Sequence, residues 1–523
     1  MKRTFFFLTL ALVLLPLSIY GVGNRQQTTT GGKPEISITI LDRARNIEGG
    51  TGGTIADNRW TRWINENSPV NVRFVPVLRT EAVQRINALF AAGTAPDVVY
   101  EYGKPFMDNL FSQGVIQPVG DYVQRYSTDY KNYLNEHQDI LPYLYAEDGQ
   151  MYGMSSRRGI TDLYIFGWYI RKDWLDKFNM PVPTHIDELL TFMRRVRDED
   201  PDGNGVRDTY GMAFFTQYLN DTRAIFGAPF NDFVVENGRF VDWTSTPAYR
   251  DYLAFWAQLY SEGLIDPEFI TDMQATRQLQ HLTTGKAGVY FGQRPSNGTN
   301  FFAKELRRNV PTADLITFDP PATNYGKFAM QMQERANYMA VMNRSARNPQ
   351  AIMQYVDWMI SGGWWNLEYG FEGRHYNLVN GVPIRVLTQS ISDEIAYTGD
   401  YGFVNQLNPQ PFWFATDVDR NDPLSVEFGQ RMADFFTLRL NDRPRQFVPY
   451  APSGDRIAQY TSETSSYLST QVQTLEIAII IGRIPLDAGI QQINNFKNSV
   501  GWAQVNADKD AWYQRNRNLF TGF

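Results

Sequence analysis

The sequence predicts an α/β protein of two lobes, each built on a mainly parallel sheet flanked by helices. Three observations carry this expectation. The chain has 523 residues, and a single hydrophobic core stops growing at roughly 250–300 residues. Its early region alternates strand and helix patterns, the order that winds a parallel sheet through right-handed crossovers. No segment repeats at a period of ~20–50 residues, which disfavours solenoids and propellers.

Taken in order, Lys2 and Arg3 precede an apolar run from Phe5 to Leu15, broken by Pro16 and followed by Gly21 and Gly23. This is the layout of a secretory signal peptide, and the run is short for a membrane span. Residues 1–23 are therefore expected to direct export and be removed, with 24–35 a flexible polar segment. Residues 36–41, ISITIL, alternate apolar and polar as a half-buried strand does, and VNVRFVPV at 70–77 reads as a second strand. Between them lies a glycine-rich loop. In the next stretch Val83, Ile86, Leu89 and Phe90 share one helical face that stops at Gly93, and PDVVY restarts as a strand. Ligands of such sheets sit beyond the carboxyl ends of the strands. That rule points to Arg59 and Trp60 after the first strand, and to Glu101, Tyr102 and Lys104 after the third. Further on, Thr184 and Asp187 form a capping-box pattern ahead of Ile186, Leu189, Leu190, Met193 and Val196. Thr246 and Pro247 open a helix that Gly263 ends, and Asn348 and Pro349 open another.

Composition removes several functions. The chain contains no cysteine, which excludes a disulfide scaffold, thiol catalysis, cysteine-based zinc or iron–sulfur sites, and lipid attachment through an N-terminal cysteine. With 49 basic against 56 acidic residues and a net charge of −7, there is no phosphate track for a nucleic acid. The four histidines fall in no zinc-protease pattern, and no nucleophile elbow or phosphate-binding loop occurs. Aromatic residues reach 14%, compatible with large cores or with surfaces that stack flat ligands.

The sharpest local signal is DPDGNGVRDTYG at 200–211. Asp200, Asp202, Asn204 and Asp208 place oxygens at alternate positions, Gly205 supplies the sharp turn, and the Val206 carbonyl is available between them. This spacing suits a hard cation, and calcium is the expected structural ion. The loop departs from an EF-hand at its last position, where Gly211 replaces a bidentate glutamate. A second cluster, GGWWNLEYGFEGRHYN, joins Trp364, Trp365, Glu372, Arg374 and His375. It mixes rings and charged forks, the groups that hold a polyhydroxylated ligand, although a packed turn with core tryptophans has the same composition.

Several segments together resemble a known family. ALFAAGTAPDVV, IRKDWLDKFNMPVPTHIDELLTFMRRVRDEDPDGNGVRDTYG, SEGLIDPEFI, LTTGKAGVYFG, YGFEGRHYN and IIGRIPLDAG occur in the order seen in extracellular solute-binding proteins of family 1, the sugar-binding type serving ABC importers. The resemblance implies a two-lobe periplasmic-binding-protein fold of type II with a hinge between lobes. The first lobe would comprise 36–160 and 333–378, the second 161–332 and 379–523. It further implies a monomeric, non-enzymatic protein of the periplasm or cell exterior that closes on a carbohydrate and delivers it to ABC permease subunits. Ligand contacts would come from Trp60, Glu101, Tyr102, Arg158, Gln293, Trp365, Glu372 and His375, with calcium on Asp200, Asp202, Asn204, Val206 and Asp208. A secreted glycan hydrolase and a periplasmic sugar sensor are the alternatives. The hydrolase would need two carboxyl groups flanking one bond, and no sequence feature singles out such a pair.

Overall fold

The computed structural model describes residues 32–45, 47–159, 166–228, 233–272, 274–293, 302–328, 334–386, 388–406, 418–439, 464–515 and 517. The expected signal peptide at 1–23 lies outside these residues, as do most of 24–35 and the crossing residues 160–165 and 333.

The chain lays down β1 (Glu35–Asp42), β2 (Asn71–Leu78), β3 (Val98–Tyr102) and two short strands, β4 (Ile116–Gln117) and β5 (Gly153–Met154). It continues with β6 (Phe166–Arg171), β7 (Tyr210–Ala213), a hairpin of β8 (Phe233–Glu236) and β9 (Arg239–Asp242), then β10 (Ala287–Gln293) and β11 (Leu315–Thr317). It returns as β12 (Tyr338–Asn343) and adds a hairpin of β13 (Tyr376–Val379) and β14 (Val382–Arg385). The first sheet has the order β2-β1-β3-β12-β4 with β5 also on β12, and the second β11-β6-β10-β7. The helix predicted to stop at Gly93, the one from Pro247 to Gly263 and the one opening at Asn348–Pro349 form at Ala82–Ala91, Pro247–Ser261 and Pro349–Trp358. The helix Ile186–Asp198 differs at its start. His185 rather than Thr184 is its cap, and Glu188 rather than Asp187 closes the box by accepting the His185 N–H at 3.3 Å. Glutamate has the extra methylene needed to reach back over a full turn.

Each sheet runs one way apart from a single reversed strand. β1 is parallel to β2 and β3, while β12 is antiparallel to β3, β4 and β5. β10 is parallel to β7, while β6 is antiparallel to β10 and β11. The reversed strands are the two that follow crossings between lobes. Such a strand enters at the edge where its neighbours end and has to run against them. The crossings pair with each other: Arg157 bridges Ala336, the Asn337 N–H donates to the Ser156 carbonyl at 2.9 Å, and the Arg158 N–H to the Arg335 carbonyl at 2.6 Å.

The two lobes have separate cores. One gathers Ile38, Trp60, Ile86, Val99, Met339 and Tyr355, the other Trp168, Phe192, Met212, Trp256, Val289 and Ile493. The first core also contains Tyr397, Tyr401, Phe403 and Val404. This sets back the exit from the first lobe expected after 378: residues 397–404 still pack with the first lobe, where Tyr401 meets Phe74 of β2 and Phe403 meets Tyr100 of β3. Much of the aromatic excess is core, as the fully buried Trp60, Trp168, Trp243 and Trp256 illustrate.

A buried ion pair ties the last helices to the second lobe. The Asp242 carboxylate accepts from Lys497 Nζ at 2.7 Å, Trp502 Nε1 at 2.6 Å and the Thr244 hydroxyl at 2.8 Å. Burial alone would raise the Asp242 pKa, but Lys497 and the other donors hold it below the usual range. Removing one partner strands a buried charge, so Lys497→Met is expected to cost about 3–5 kcal/mol in urea unfolding monitored by tryptophan fluorescence.

Candidate functional site

The pairing of the crossings directs the carboxyl ends of both sheets toward one hinge. In the first lobe that edge begins where β1 stops. Arg43, the next residue, donates from Nε to both Asp400 carboxylate oxygens at 2.9 Å, and from Nη2 to the hydroxyls of Tyr102 at 3.1 Å and Tyr338 at 3.2 Å. The hydrogen bonds run in one direction, Tyr102 donating to Tyr338 at 2.8 Å and Tyr338 to Asp400 at 3.0 Å. Tyr100 donates its hydroxyl to the Asp400 backbone carbonyl. Burial, and then the Asp400 charge, push the Tyr338 hydroxyl far above the ordinary tyrosine range, so it stays a donor.

Tyr102, at the end of β3, is half-buried with two cations over its ring, Arg79 at 5.1 Å and Arg158 at 6.0 Å from the centroid. Arg79 follows β2 directly and pairs with Glu101 at 3.1 Å. Glu101 Oε1 also accepts the Tyr102 N–H at 3.0 Å, while Oε2 is buried without a hydrogen-bond partner. Burial raises the Glu101 pKa, as expected for a carboxylate with one oxygen unmet. Arg158 leaves the hinge and donates from Nε to the Glu334 carbonyl at 2.9 Å. Lys104 turns inward and is fully buried against Asp108 at 2.5 Å. The second lobe presents Phe166, Phe215, Tyr218 and Phe291 at its carboxyl edge. Tyr218 is the half-exposed member, with Phe215 and Phe166 at 5.0 and 5.1 Å between centroids. Gln293 closes the last pair of β10 with Phe166, and its side chain lies outside the described residues.

Two expected contacts prove to lie behind this wall. Trp60 is wholly buried, stacked on Phe371 at 5.0 Å, with its indole N–H on the Glu394 carbonyl at 2.8 Å. His375 is equally buried. Its Nδ1 accepts the Phe371 N–H at 2.9 Å, which puts the proton on Nε2, 3.1 Å from Glu394. Burial lowers its pKa and keeps it neutral. Gly370, at φ +80°, lies so close that a Cβ there would stand 2.5 Å from the His375 ring. Both rings are fully buried, so neither reaches a surface that a ligand could touch. Trp365 is half-buried, donating to the Tyr376 hydroxyl at 3.0 Å, and Glu372 is exposed.

The geometry agrees with the comparisons. The family profile described as bacterial extracellular solute-binding protein matches residues 55–363. The chain belongs to this family. It is 29% identical over 232 residues to the polygalacturonan/rhamnogalacturonan-binding protein of Bacillus subtilis, covering 43% of this chain and 44% of that one. It is 30% identical over 241 residues to the fructooligosaccharide ABC transporter substrate-binding protein of Streptococcus pneumoniae, covering 42% and 44%. The matched stretch thus spans about half the length of the curated relatives. Among solved structures, an HMO-binding, ABC-transporter-associated solute-binding protein of Bifidobacterium longum infantis superposes with a TM-score of 0.70 at 18% identity, covering 92% of this chain and 99% of that one. An alginate-binding protein without calcium ion gives 0.66 at 19%, covering 93% and 99%. The two-lobe binding-protein fold is therefore the fold of this member. Among the described residues no helix is long and apolar enough to cross a membrane.

Arg43, Arg79, Tyr338, Asp400 and Tyr218 were not among the expected contacts. The rule of looking just past each strand end, applied strictly, reaches Arg43 and Arg79. The other three need the fold.

Glu394 anchors the wall beneath the site. It accepts from Arg374 at 2.6 and 2.8 Å, from Arg59 at 2.8 Å and from His375 at 3.1 Å. The Arg374 hydrogen bonds, outweighing desolvation, hold its pKa at about 2. A carboxylate with a depressed folded pKa contributes stability that is complete above its unfolded value and lost as pH falls through the folded one. The melting temperature of the protein is expected to fall between about pH 4.5 and 2 through this group. Glu394→Gln is expected to destabilise by about 3 kcal/mol at pH 6, with the gap to the parent protein narrowing as pH drops.

Proposed function

We propose that the protein is the substrate-binding component of an ABC importer that captures a carbohydrate, an oligosaccharide, between its lobes and hands it to the permease. The observation that carries this reading is Tyr102, a ring at a strand end beneath two guanidiniums, its hydroxyl fixed by Arg43 and the Tyr338–Asp400 relay. A pyranose offers a C–H face to a ring and hydroxyls to forked donors. The relatives named for polygalacturonan/rhamnogalacturonan and fructooligosaccharide binding support the same ligand class.

Tyr102 and Arg158, joined by Arg43 and Arg79, form the contact set of the first lobe, with the buried Glu101 behind them holding Arg79. Gln293 and Tyr218 answer from the second, with Trp365 and Glu372 at the margin. A sugar touching both lobes binds the closed form better and shifts the population toward it. The permease reads the closed surface. The reading places the chain outside the cytoplasm, as a monomer that binds and does not cleave.

Calorimetric titration of the mature chain against mono- and oligosaccharides is expected to give stoichiometric binding with no new reducing ends. Turnover would overturn the reading in favour of a glycan hydrolase, and absence of binding to any carbohydrate would overturn it outright. Tyr102→Ala and Arg79→Ala are each expected to weaken binding at least about 10-fold, a loss of about 1.4 kcal/mol.

A further inference from the structure

The loop at 200–208 adopts the wrapped turn its sequence predicts, with Gly205 at φ +78° and its N–H donating to Asp200 Oδ2 at 2.8 Å. What fills its centre is a side chain. Lys286 Nζ donates to Asp202 Oδ2 at 2.6 Å and stands 2.9 and 2.8 Å from the two oxygens of Asp208.

The oxygens of Asn204 and Asp200 already accept backbone N–H groups of the loop. Asn204 Oδ1 accepts the Val206 N–H at 2.6 Å, which fixes the amide orientation, since a flipped amide would set two donors against each other. Its Nδ2 therefore faces Asp202 and Asp208, both at 3.1 Å, and places donor hydrogens where a metal would need a lone pair. Asp200 Oδ1 accepts the Asn204 N–H at 3.2 Å. The Thr209 hydroxyl is buried on the Val196 carbonyl at 2.6 Å, and the Lys177 ammonium takes the Pro201 carbonyl at 2.9 Å. No bidentate carboxylate is available at Gly211, where the space a Cβ would need is filled by Met193. Calcium needs six to eight oxygen ligands. Among the described residues no group of three or more His, Asp or Glu is arranged to hold a metal ion. The calcium expected on Asp200, Asp202, Asn204, Val206 and Asp208 does not fit this loop.

We propose that the Lys286 ammonium takes the place of the calcium ion, so that the loop is clamped by a cation built into the chain. The position of Lys286 gives the clamp its purpose. It is the residue before β10; its backbone carbonyl accepts the Tyr210 N–H at 2.8 Å, extending the pairing of β7 and β10 beyond their start. The loop enters β7, so the ammonium locks together the two parallel strands whose far ends form the edge of the second lobe at the hinge. Burial pulls the lysine pKa down, but the hydrogen bonds it donates to Asp202 and Asp208 outweigh this and raise it above the usual value. In this member of the family, the stability of the second lobe is thereby independent of calcium.

The test uses the mature protein. With the parent chain, elemental analysis after dialysis against calcium is expected to find no bound metal, and neither chelator nor added Ca²⁺ is expected to move the melting temperature. One calcium per chain, or a fall in melting temperature with chelator, would overturn the proposal. Lys286→Met keeps the stem and removes the charge. It is expected to lower the melting temperature by several degrees. An unchanged melting temperature in this variant would overturn the clamp. Should it fail to fold, Asp208→Asn, which weakens one arm of the clamp, gives the same reading: a lowered melting temperature supports it and an unchanged one overturns it.

Discussion

A strand that enters a sheet at the edge where its neighbours end must run against them, and this constraint organises the molecule. β12 and β6 both follow crossings between lobes, and both are reversed in otherwise unidirectional sheets. The carboxyl ends of β1, β2 and β3 therefore converge on the hinge, as do those of β7 and β10. Loops after strands carry the polar groups of an open α/β sheet. Putting both sets of loops at the hinge is what the proposed capture of one ligand by both lobes requires.

The wall behind the site is held by two carboxylates, Asp400 and Glu394, each ringed by donors from distant parts of the chain. Asp400 gathers Arg43, Tyr338 and, through its backbone, Tyr100. Glu394 gathers Arg59, Arg374 and His375. Buried charges of this kind are costly unless fully satisfied, and their benefit is geometric. They fix the angle of Tyr102 and the lie of the Phe371–His375 turn, so the surface presented to a ligand is formed before it arrives. Preorganisation reduces the ordering cost of binding.

Element identity was legible in the chain because periodicity is a local property. The strand at ISITIL, the helix around Ile86 and the Asn348–Pro349 start all became the predicted elements, although the strand is buried on both faces rather than one and Val83 is exposed. The site was legible in part. Glu101, Tyr102 and Arg158 stand at the hinge edge, found from strand ends and from the family resemblance. Trp60 and His375 carry the same residue chemistry yet are sealed, because whether a ring faces a cleft or a core depends on what packs over it. For Trp60 that is Phe371 and Glu394, more than three hundred residues away, and composition holds no trace of them.

The loop at 200–208 divides the two kinds of information most cleanly. Its spacing of oxygens and glycines determined the turn, since those torsions and short hydrogen bonds are set within nine neighbouring residues. The occupant of that turn was decided by Lys286, 78 residues on from Asp208, brought there by the pairing of β7 with β10. The sequence by itself thus determined the elements, their order and the family. Only the tertiary structure decided which polar groups are satisfied by other parts of the chain and which are left to a ligand. The physical reason is range: backbone preference acts across a few residues, whereas burial and charge pairing depend on segments that meet only when the lobes have formed.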